Sequence, residues 1–376
     1  MRLHFRLRVC LCALLLFDSI ASWSAAAGSN DLFAPGVARS LDREIEDIAK
    51  RNNLPSVAVG VLVPGKGRYT FVEGFANLKT RTPRSFDQPF RIASITKTFA
   101  ATAVLILVDR GLLHKTDHIA QWFPQFPNAD RITIDDLLRM RSGIPAPNDD
   151  EVLARAYDSP LAPAPSLADE LRSFARLKPE FKPPDTEGAY TDFNYDILAG
   201  IVQRVTGKDI RELIIESVIV PLKLRNTSYP TGPGIPGGLR GYGWNPSTKR
   251  LDDKTLFNPP LAGAAGAGIS NVSDLLVFSR VLCRGGLLKP QTQRERMEGQ
   301  PLVGANVDYG EGVGMGSGFC GHSGTINGFS TDMYYIKNLD ASLVISVSRL
   351  DRDNRLQSSP VLSLVSKTIL SALGSR

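Results

Sequence analysis

The feature of this sequence that most restricts its fold is the placement of strand patterns near both ends of the chain. Apolar or alternating runs typical of strands occupy residues 56–63 and 69–75, and again residues 328–336 and 341–347. The region between them is rich in Pro, Asp and short helical segments. One sheet assembled from distant parts of the chain, with helices against its faces, accommodates this order of elements.

We therefore predict an α/β protein of the α+β type. Its α/β part comprises about residues 37–110 and 265–376, and a helical insert covers about residues 111–264. Helical spacing of apolar positions predicts helices at residues 37–53 and at the C-terminal end, where the helix packs against the sheet. The cleft is expected between the sheet and the insert.

The first 27 residues are predicted to be a secretory signal peptide. Three Arg residues precede the apolar stretch 9–17, and Ala25, Ala26 and Ala27 provide a small-residue cleavage site. The apolar stretch is too short to span a bilayer, which takes about 20 residues. We expect residues 28–376 to form a secreted or periplasmic enzyme with no stable membrane anchor.

The charge of the chain gives no indication of a nucleic-acid partner. Loss of the signal would remove three Arg and one Asp, which lowers the formal net charge from +6 to about +4. The remaining charges are mixed in sign along the chain. A small-molecule or peptide substrate is therefore the expected partner.

No cofactor or metal is predicted. The three His residues of the mature chain neither cluster nor show the spacing of metal ligands. The glycine-rich residues 263–268 lack the ending of a phosphate-binding loop, so a flexible turn is preferred there. Cys283 and Cys320 could form a disulfide or remain thiols, and we favour free thiols slightly.

Ser94-Ile95-Thr96-Lys97 is the first motif with catalytic potential. It precedes an apolar helical run at residues 98–108, and residues three apart share one face of a helix. A serine needs a neighbouring base to become a nucleophile, and an amine one turn away can supply or relay that function. Such a pattern also arises by chance on solvated helices, so its apolar flanks and partner motifs must decide.

Two further motifs contain a proton-transfer group. Tyr190-Thr191-Asp192 precedes a helical run, and Tyr190 could shuttle a proton if cations lower its pKa. His322-Ser323-Gly324-Thr325 precedes a strand; on an edge strand, His322 would face the cleft and the amides of Thr325 and Ser94 could form an oxyanion hole. Taken alone, a core tyrosine and a surface histidine explain these residues as well.

Together the three motifs resemble the serine β-lactamase and penicillin-recognising family, in particular its branch of class C β-lactamases, D-alanyl-D-alanine carboxypeptidases and esterases. That family orders its site as Ser-x-x-Lys, Tyr-x-Asn and Lys-or-His-x-Gly. Further likeness covers residues 90–93, 137–145, 190–200, 264–274 and 321–330, and thus essentially the whole chain after the signal.

The resemblance implies a mostly antiparallel sheet flanked by helices, with an inserted all-helical region. It also implies that Ser94 is the acylated nucleophile, that Lys97 is its proton partner and that Tyr190 shuttles protons to the leaving group and from water. The remaining substrate-binding positions would be Asp192, His322, Ser323, Gly324 and Thr325.

This chain departs from the family pattern at two positions. Asp192 replaces the usual Asn, and its carboxylate could pair with Lys97 and hold it protonated. His322 replaces the Lys of typical class C β-lactamases and would be partly cationic at neutral pH. Both changes argue against an efficient β-lactamase.

The expected activity is therefore an acyl-enzyme hydrolase that acts on D-alanyl peptides as a carboxypeptidase, or on esters. A weak class C-like β-lactamase and a non-catalytic protein that binds peptidoglycan fragments are the alternatives. A third assigns Ser323 as the nucleophile of an α/β-hydrolase, although the segment after it is predicted to be a strand rather than a helix.

Overall fold

A computed structural model describes residues 30–145, 158–181, 183, 188–303, 307–316 and 318–374. The predicted signal peptide, residues 1–27, lies outside this part of the chain. Among the described residues, no helix is both long and apolar enough to cross a membrane.

A nine-stranded antiparallel sheet forms the centre of the fold. The strands of the protein, in chain order, are β1 (Ser56–Val63), β2 (Gly67–Asn77), β3 (Thr82–Pro83), β4 (Phe90–Arg91), β5 (Tyr242–Asn245), β6 (Arg250–Asp253), β7 (Ile269–Ser270), β8 (Gln300–Pro301), β9 (Asp308–Tyr309), β10 (Gly314–Gly316), β11 (Phe319–Ile326), β12 (Phe329–Ile336) and β13 (Ala341–Val347). In the large sheet their spatial order is β3-β2-β1-β13-β12-β11-β10-β9-β8.

The two ends of the chain meet in the middle of this sheet. β1 pairs with β13 in a register that sets Val57 opposite Val347 and Leu62 opposite Ser342. Both strands are almost entirely buried, which agrees with their mainly apolar sequences and the Val and Ile residues in each. The predicted single sheet made of distant segments is confirmed, and so is its antiparallel character.

Helices cover both faces of the sheet. The α-helices of the described residues, in chain order, are α1 (Pro35–Arg51), α2 (Thr96–Asp109), α3 (Ile134–Leu138), α4 (Leu167–Phe174), α5 (Phe193–Thr206), α6 (Ile210–Ile214), α7 (Gly263–Gly266), α8 (Val272–Arg284), α9 (Pro290–Arg296) and α10 (Ser359–Leu373). The terminal helices α1 and α10 pack together over one face, in a core that includes Leu41, Val365 and Ile369. On the other face, α2 and α8 join the helices of residues 111–264 in a larger core.

Helix α2 is the buried centre of that larger core. Every residue from Thr96 to Leu107 is buried, and a helix that is apolar all round is stable only when it is enclosed by other elements. The helices α5, α6 and α7 contact it from the insert. Because α2 is enclosed, the residues at its N-terminal end are held in fixed positions.

The expectation of an all-helical insert is wrong in one respect. Strands β5 and β6 form a two-stranded antiparallel hairpin, with Trp244 opposite Leu251. Their short sequences, Tyr-Gly-Trp-Asn and Arg-Leu-Asp-Asp, lack the β-branched alternation that predicts strands. The turn is stabilised by the Asn245 side chain, which accepts hydrogen bonds from the amides of Ser247 and Thr248.

The preference for free thiols is also wrong, because Cys283 and Cys320 form a disulfide. Cys283 lies near the end of α8 and Cys320 lies in β11, and α8 packs against β11, β12 and β13. Their Cα atoms are 6.1 Å apart, within the range that a disulfide requires. Their separation of 37 positions in the sequence gave no indication of this proximity.

Candidate active site

Ser94 lies in a short 3-10 turn, Ala93–Ile95, immediately before α2. Ala93 has a φ of +48°, a left-handed backbone that costs a residue with a side chain about 1 kcal/mol or more. Ala93 and Ile95 are buried, whereas Ser94 is partly exposed. The tight turn therefore presents the serine hydroxyl to the cleft, just ahead of the helix that was predicted to begin with it.

Lys97 lies in the first turn of α2 and is fully buried. Its Nζ donates to Ser94 Oγ at 3.0 Å and to the Ala265 carbonyl at 3.1 Å, and it lies 2.6 Å from Asp192 Oδ1. An ammonium group has three protons, and these three acceptors can use all of them. The geometry is that of a protonated lysine.

The charges around Lys97 lead to the same conclusion. Burial lowers the pKa of Lys97, but the Asp192 carboxylate and the Tyr190 phenol outweigh burial and raise that pKa above its ordinary value. Lys97 is thus an ammonium at neutral pH, as the Asp192 substitution predicted. A resting ammonium cannot take the proton of Ser94 directly.

Tyr190 faces Lys97 across the cleft, with its ring centroid 4.9 Å from Lys97 Nζ. Its hydroxyl is buried and makes no hydrogen bond of good geometry within the described part of the chain, although Lys97 and Ser94 lie close enough to lower its pKa. Burial raises the pKa of Tyr190, and the attraction of Lys97 offsets this only in part. Lys97 therefore does not bring the pKa of Tyr190 below its ordinary value, and the resting side chain is a neutral phenol whose hydroxyl is available to a ligand.

His322 lies in β11 and is buried beside Tyr190, with the two ring centroids 6.1 Å apart. Burial, followed by repulsion from Lys97, lowers the pKa of His322 to about 4. The sequence-based prediction of a partly cationic His322 is thus wrong, because the buried imidazole is neutral at pH 7.

The neutral imidazole of His322 has a defined tautomer. Nδ1 lies 2.5 Å from the Ser323 carbonyl, which can only accept, so Nδ1 carries the proton. Nε2 is then an acceptor for the hydroxyl of Tyr309, 3.1 Å away. Tyr309 was missed by sequence reasoning, because it lies in the two-residue strand β9 with no motif around it.

Strand β11 passes directly beside the Ser94 turn at Gly324. A Cβ on Gly324 would lie 2.4 Å from the Ile92 carbonyl oxygen and 3.1 Å from the Ser94 backbone nitrogen, so a larger residue would force the strand away. Within the described residues β10 pairs with β11 only as far as Gly321, which leaves the following residues next to the turn. The predicted edge position is thus correct for His322 and Thr325, although β11 begins as an inner strand.

The same strand places Ser323 and Thr325 at the cleft, both partly exposed. Ser323 pairs with Asp332 and Thr325 with Ser330 in a regular ladder to β12. Because Ser323 lies in the middle of a strand, it does not occupy the strand-to-helix turn of an α/β-hydrolase nucleophile. The structure contradicts that alternative.

Three further groups in this region were not predicted. Ala265, whose carbonyl accepts from Lys97, belongs to helix α7, where a flexible turn was expected. Burial and the Asp192 charge raise the pKa of Glu170 to about 7, and burial with these neighbours raises the pKa of Asp196 well above its ordinary value. Asp192 thus supplies most of the negative charge beside Lys97. Helical contacts across the insert create this group, and no local spacing indicates it.

Comparison with protein families identifies the chain. The family model for beta-lactamase matches residues 41–363 of the chain. The chain belongs to the beta-lactamase family. This confirms the resemblance inferred from the three motifs.

Among curated proteins, this beta-lactamase family member is similar to the Unguisins hydrolase ungD' of Aspergillus campestris, with 24% identity over 363 residues. The match covers 88% of this chain and 66% of that protein. For the next curated relatives the chain spans 38% of their length. The match thus spans only part of the length of these curated relatives.

Two solved structures show the same fold. The D-amino acid amidase of Ochrobactrum anthropi SV3 superposes with a TM-score of 0.79 at 22% identity, covering 90% of this chain and 99% of that one. The D-stereospecific amidohydrolase of a Streptomyces species has a TM-score of 0.75 at 24% identity, covering 93% and 100%. The fold of this chain is thus that of hydrolases in the β-lactamase and penicillin-binding family.

Proposed function

We propose that this protein is a serine hydrolase that forms an acyl-enzyme on Ser94 and cleaves esters or amides, including D-aminoacyl and D-alanyl peptide substrates. The observation that supports this most directly is the contact of Ser94 Oγ with the buried Lys97 ammonium at 3.0 Å. The unpartnered Tyr190 hydroxyl and the close approach of Gly324 surround the same serine. A buried cation and an open donor at one partly exposed serine suit nucleophilic catalysis.

The resting protonation states suggest a specific proton path. As Ser94 Oγ bonds to the substrate carbonyl carbon, its proton passes to the oxygen of Tyr190, and Tyr190 gives its own proton to the leaving group. The phenol ends neutral, and the leaving group departs protonated. Lys97 remains an ammonium and stabilises the charge that develops on Ser94 Oγ.

Hydrolysis of the acyl-enzyme follows the reverse path. Water attacks the ester carbonyl, passes one proton to Tyr190, and Tyr190 returns its proton to Ser94. The carbonyl oxygen is proposed to lie between the backbone amides of Ser94 and Thr325. Every proton is then accounted for without a charged tyrosine.

The substrate class is proposed from the family and its neighbours. The two structural neighbours are, by their titles, an amidase for D-amino acids and a D-stereospecific amidohydrolase. Either activity requires an acyl group with D configuration on the nucleophile. Carboxypeptidase-like cleavage of D-alanyl peptides and ester hydrolysis use the same chemistry with different leaving groups.

A substrate panel with matched serine variants tests this proposal. The panel contains 4-nitrophenyl esters, D-amino acid amides, D-alanyl-D-alanine peptides and nitrocefin. Ser94→Ala should lower kcat/KM for the accepted substrates by roughly three orders of magnitude or more. Ser85→Ala, at an exposed serine away from these residues, should match the parent.

The same panel separates the alternatives. Turnover that survives in Ser94→Ala would overturn the assignment of the nucleophile. Absence of any Ser94-dependent turnover would favour a non-catalytic binding protein, and preferred turnover of nitrocefin would favour a β-lactamase.

We also propose that the protein is exported, with a signal peptide at residues 1–27. The disulfide between Cys283 and Cys320 supports this, because disulfides persist in oxidising compartments. N-terminal sequencing of the protein recovered outside the cytoplasm should give Gly28 as the first residue. An intact N-terminus in the cytoplasmic fraction would contradict the proposal.

A further inference from the structure

A cavity of about 520 Å³ opens beside the proposed nucleophile site. It shares Tyr190, His322 and Ser323 with that site, so the cavity adjoins it. Its volume lies in the range of small-molecule pockets, which is about 300–1,000 Å³. A substrate bound at Ser94 therefore has an adjoining space of defined size.

The walls of this cavity are apolar and uncharged. None of the described residues that line it is Lys, Arg, Asp or Glu. The apolar side chains come from the segment before β9, from β10, β11 and β12, and from α10, namely Leu302, Val303, Met315, Phe319, Tyr334 and Leu362. Such a lining favours an apolar group and disfavours an ionised carboxylate, which would lose its hydration without a partner.

Apolar surface extends from the cavity toward solvent. Val303 is 62% exposed and Val307 is also exposed, although both are large hydrophobic residues. Exposed apolar residues gathered at the wall of a pocket are typical of a ligand-binding surface. They would contact the part of a substrate that extends beyond the enclosed space.

The polar edge of the cavity offers no cation either. His322 lines this edge, but burial lowers its pKa and the imidazole is neutral at pH 7. Its Nε2 accepts a hydrogen bond from the Tyr309 hydroxyl. The nearest ammonium, Lys97, already donates to Ser94 and to the Ala265 carbonyl and pairs with Asp192. A terminal carboxylate of a peptide would find no free positive partner among the residues that line the cavity.

We propose that this cavity is a specificity subsite that binds an uncharged apolar group of the substrate next to the scissile bond. This inference rests on the proposed function, because the cavity gains its meaning from acylation of Ser94. It narrows that function to neutral esters or amides with a bulky apolar substituent. Substrates that end in a carboxylate at this position are rejected.

The test uses two series of substrates. In one, the acyl group of a 4-nitrophenyl ester is acetyl, pentanoyl or the five-carbon glutaryl group, which ends in a carboxylate. In the other, the acyl group is acetyl and an alkyl substituent grows on the phenol. The parent should prefer pentanoyl over glutaryl, or the larger phenol over the smaller one, at least about tenfold in kcat/KM. The series that shows the preference identifies the half of the substrate in the cavity.

Two variants link that preference to the cavity. Gly314 lines it, and a Cβ there would meet only the Gly321 carbonyl oxygen at 3.3 Å, so Gly314→Leu can occupy the space. Gly314→Leu should remove most of the preference for the larger group. It should leave kcat/KM for 4-nitrophenyl acetate within about threefold of the parent value. Gly36→Leu, at a position with nothing within 4 Å, should keep the parent's preference.

Val303→Lys tests the same inference by charge, at an exposed position. If the acyl series shows the preference, this variant should raise glutaryl ester turnover relative to pentanoyl at least about threefold, because an ammonium then faces the carboxylate. If the phenol series shows it, the same gain is expected for a phenol whose alkyl substituent ends in a carboxylate. Val220→Lys, at a valine that is 63% exposed and does not line the cavity, should leave the ratio unchanged. If the parent and all four variants showed the same substrate preferences, the proposed subsite would be overturned. Turnover that depends on Ser94 would still support the proposed function in that case. Turnover that survives in Ser94→Ala would instead reject the proposed function.

Discussion

At the scale of single residues, Asp192 changes the chemistry of the site more than any other position. Its carboxylate pairs with Lys97 at 2.6 Å and raises the pKa of that amine. The sequence predicted this effect from the replacement of an amide by an acid. It could not predict the neutral states of Tyr190 and His322, because burial determines both and burial is a property of the packed structure.

Asp192→Asn should therefore change the pH dependence of acylation. Removal of the anion disfavours the ammonium, so the pKa of Lys97 falls, by at least about one unit for a charge in direct contact. If the ammonium is the active form, activity is lost as pH rises through that lower pKa, and the alkaline limb of kcat/KM moves toward neutral pH. Stopped-flow acylation rates between pH 5 and about 10, in the parent and in Asp192→Asn, measure this shift of the alkaline limb.

The direction of that shift distinguishes two functions of Lys97. Movement of the acidic limb toward lower pH, with a higher rate at pH 7, would show that neutral Lys97 acts as the base. That result would contradict the proposed path through Tyr190. Asp252→Asn, at a position in the β6 strand, is a matched control and should leave both limbs in place.

At the scale of elements, the contact between β11 and the turn before α2 determines the geometry of the site. Gly324 allows this contact with the backbone of the turn, whereas the sequence placed Gly324 only among the substrate-binding positions. Tyr309 and Ala265 could not be found from the sequence. They reach the site through β9 and α7, elements of two and four residues without a local pattern.

Gly324→Ala should separate β11 from the Ser94 turn. Its Cβ would lie 2.4 Å from the Ile92 carbonyl oxygen, so the strand must move by a few tenths of an ångström or more. We expect acylation to slow about 100-fold and stability to fall by roughly 1–3 kcal/mol. Urea unfolding and acylation kinetics on the same samples measure both effects.

The control for this variant is Gly232→Ala, because a Cβ at Gly232 would have no atom within 4 Å. It should match the parent in both measurements. If Gly324→Ala also matched the parent, the strand would not be held against the turn as described.

At the scale of the whole molecule, the pairing of β1 with β13 joins the two ends of the chain into one sheet. This was predictable, since the strand patterns and the helical middle leave few other arrangements. The β5–β6 hairpin was not, because its two short strands lack the alternation that predicts strands. The disulfide was not, because it joins residues 37 positions apart that only the packing of α8 against β11 brings together.

The disulfide links α8 to the strand that contains His322, and its loss should weaken the whole fold. For the 37-residue separation, the chain-entropy estimate of its contribution is about 4 kcal/mol. The double variant Cys283→Ala with Cys320→Ala should lose stability of that order in urea unfolding. Addition of a reductant should destabilise the parent and leave the double variant unchanged; equal responses would contradict the assignment of the bond.

Acylation of Ser94 can be measured by intact-protein mass spectrometry after treatment with a fluorophosphonate. The parent should gain the mass of one adduct, and peptide mapping should place that adduct on Ser94. Ser94→Ala should remain unmodified, while Ser323→Ala should be labelled like the parent. Labelling of Ser94→Ala, or an adduct mapped to another residue, would contradict the account.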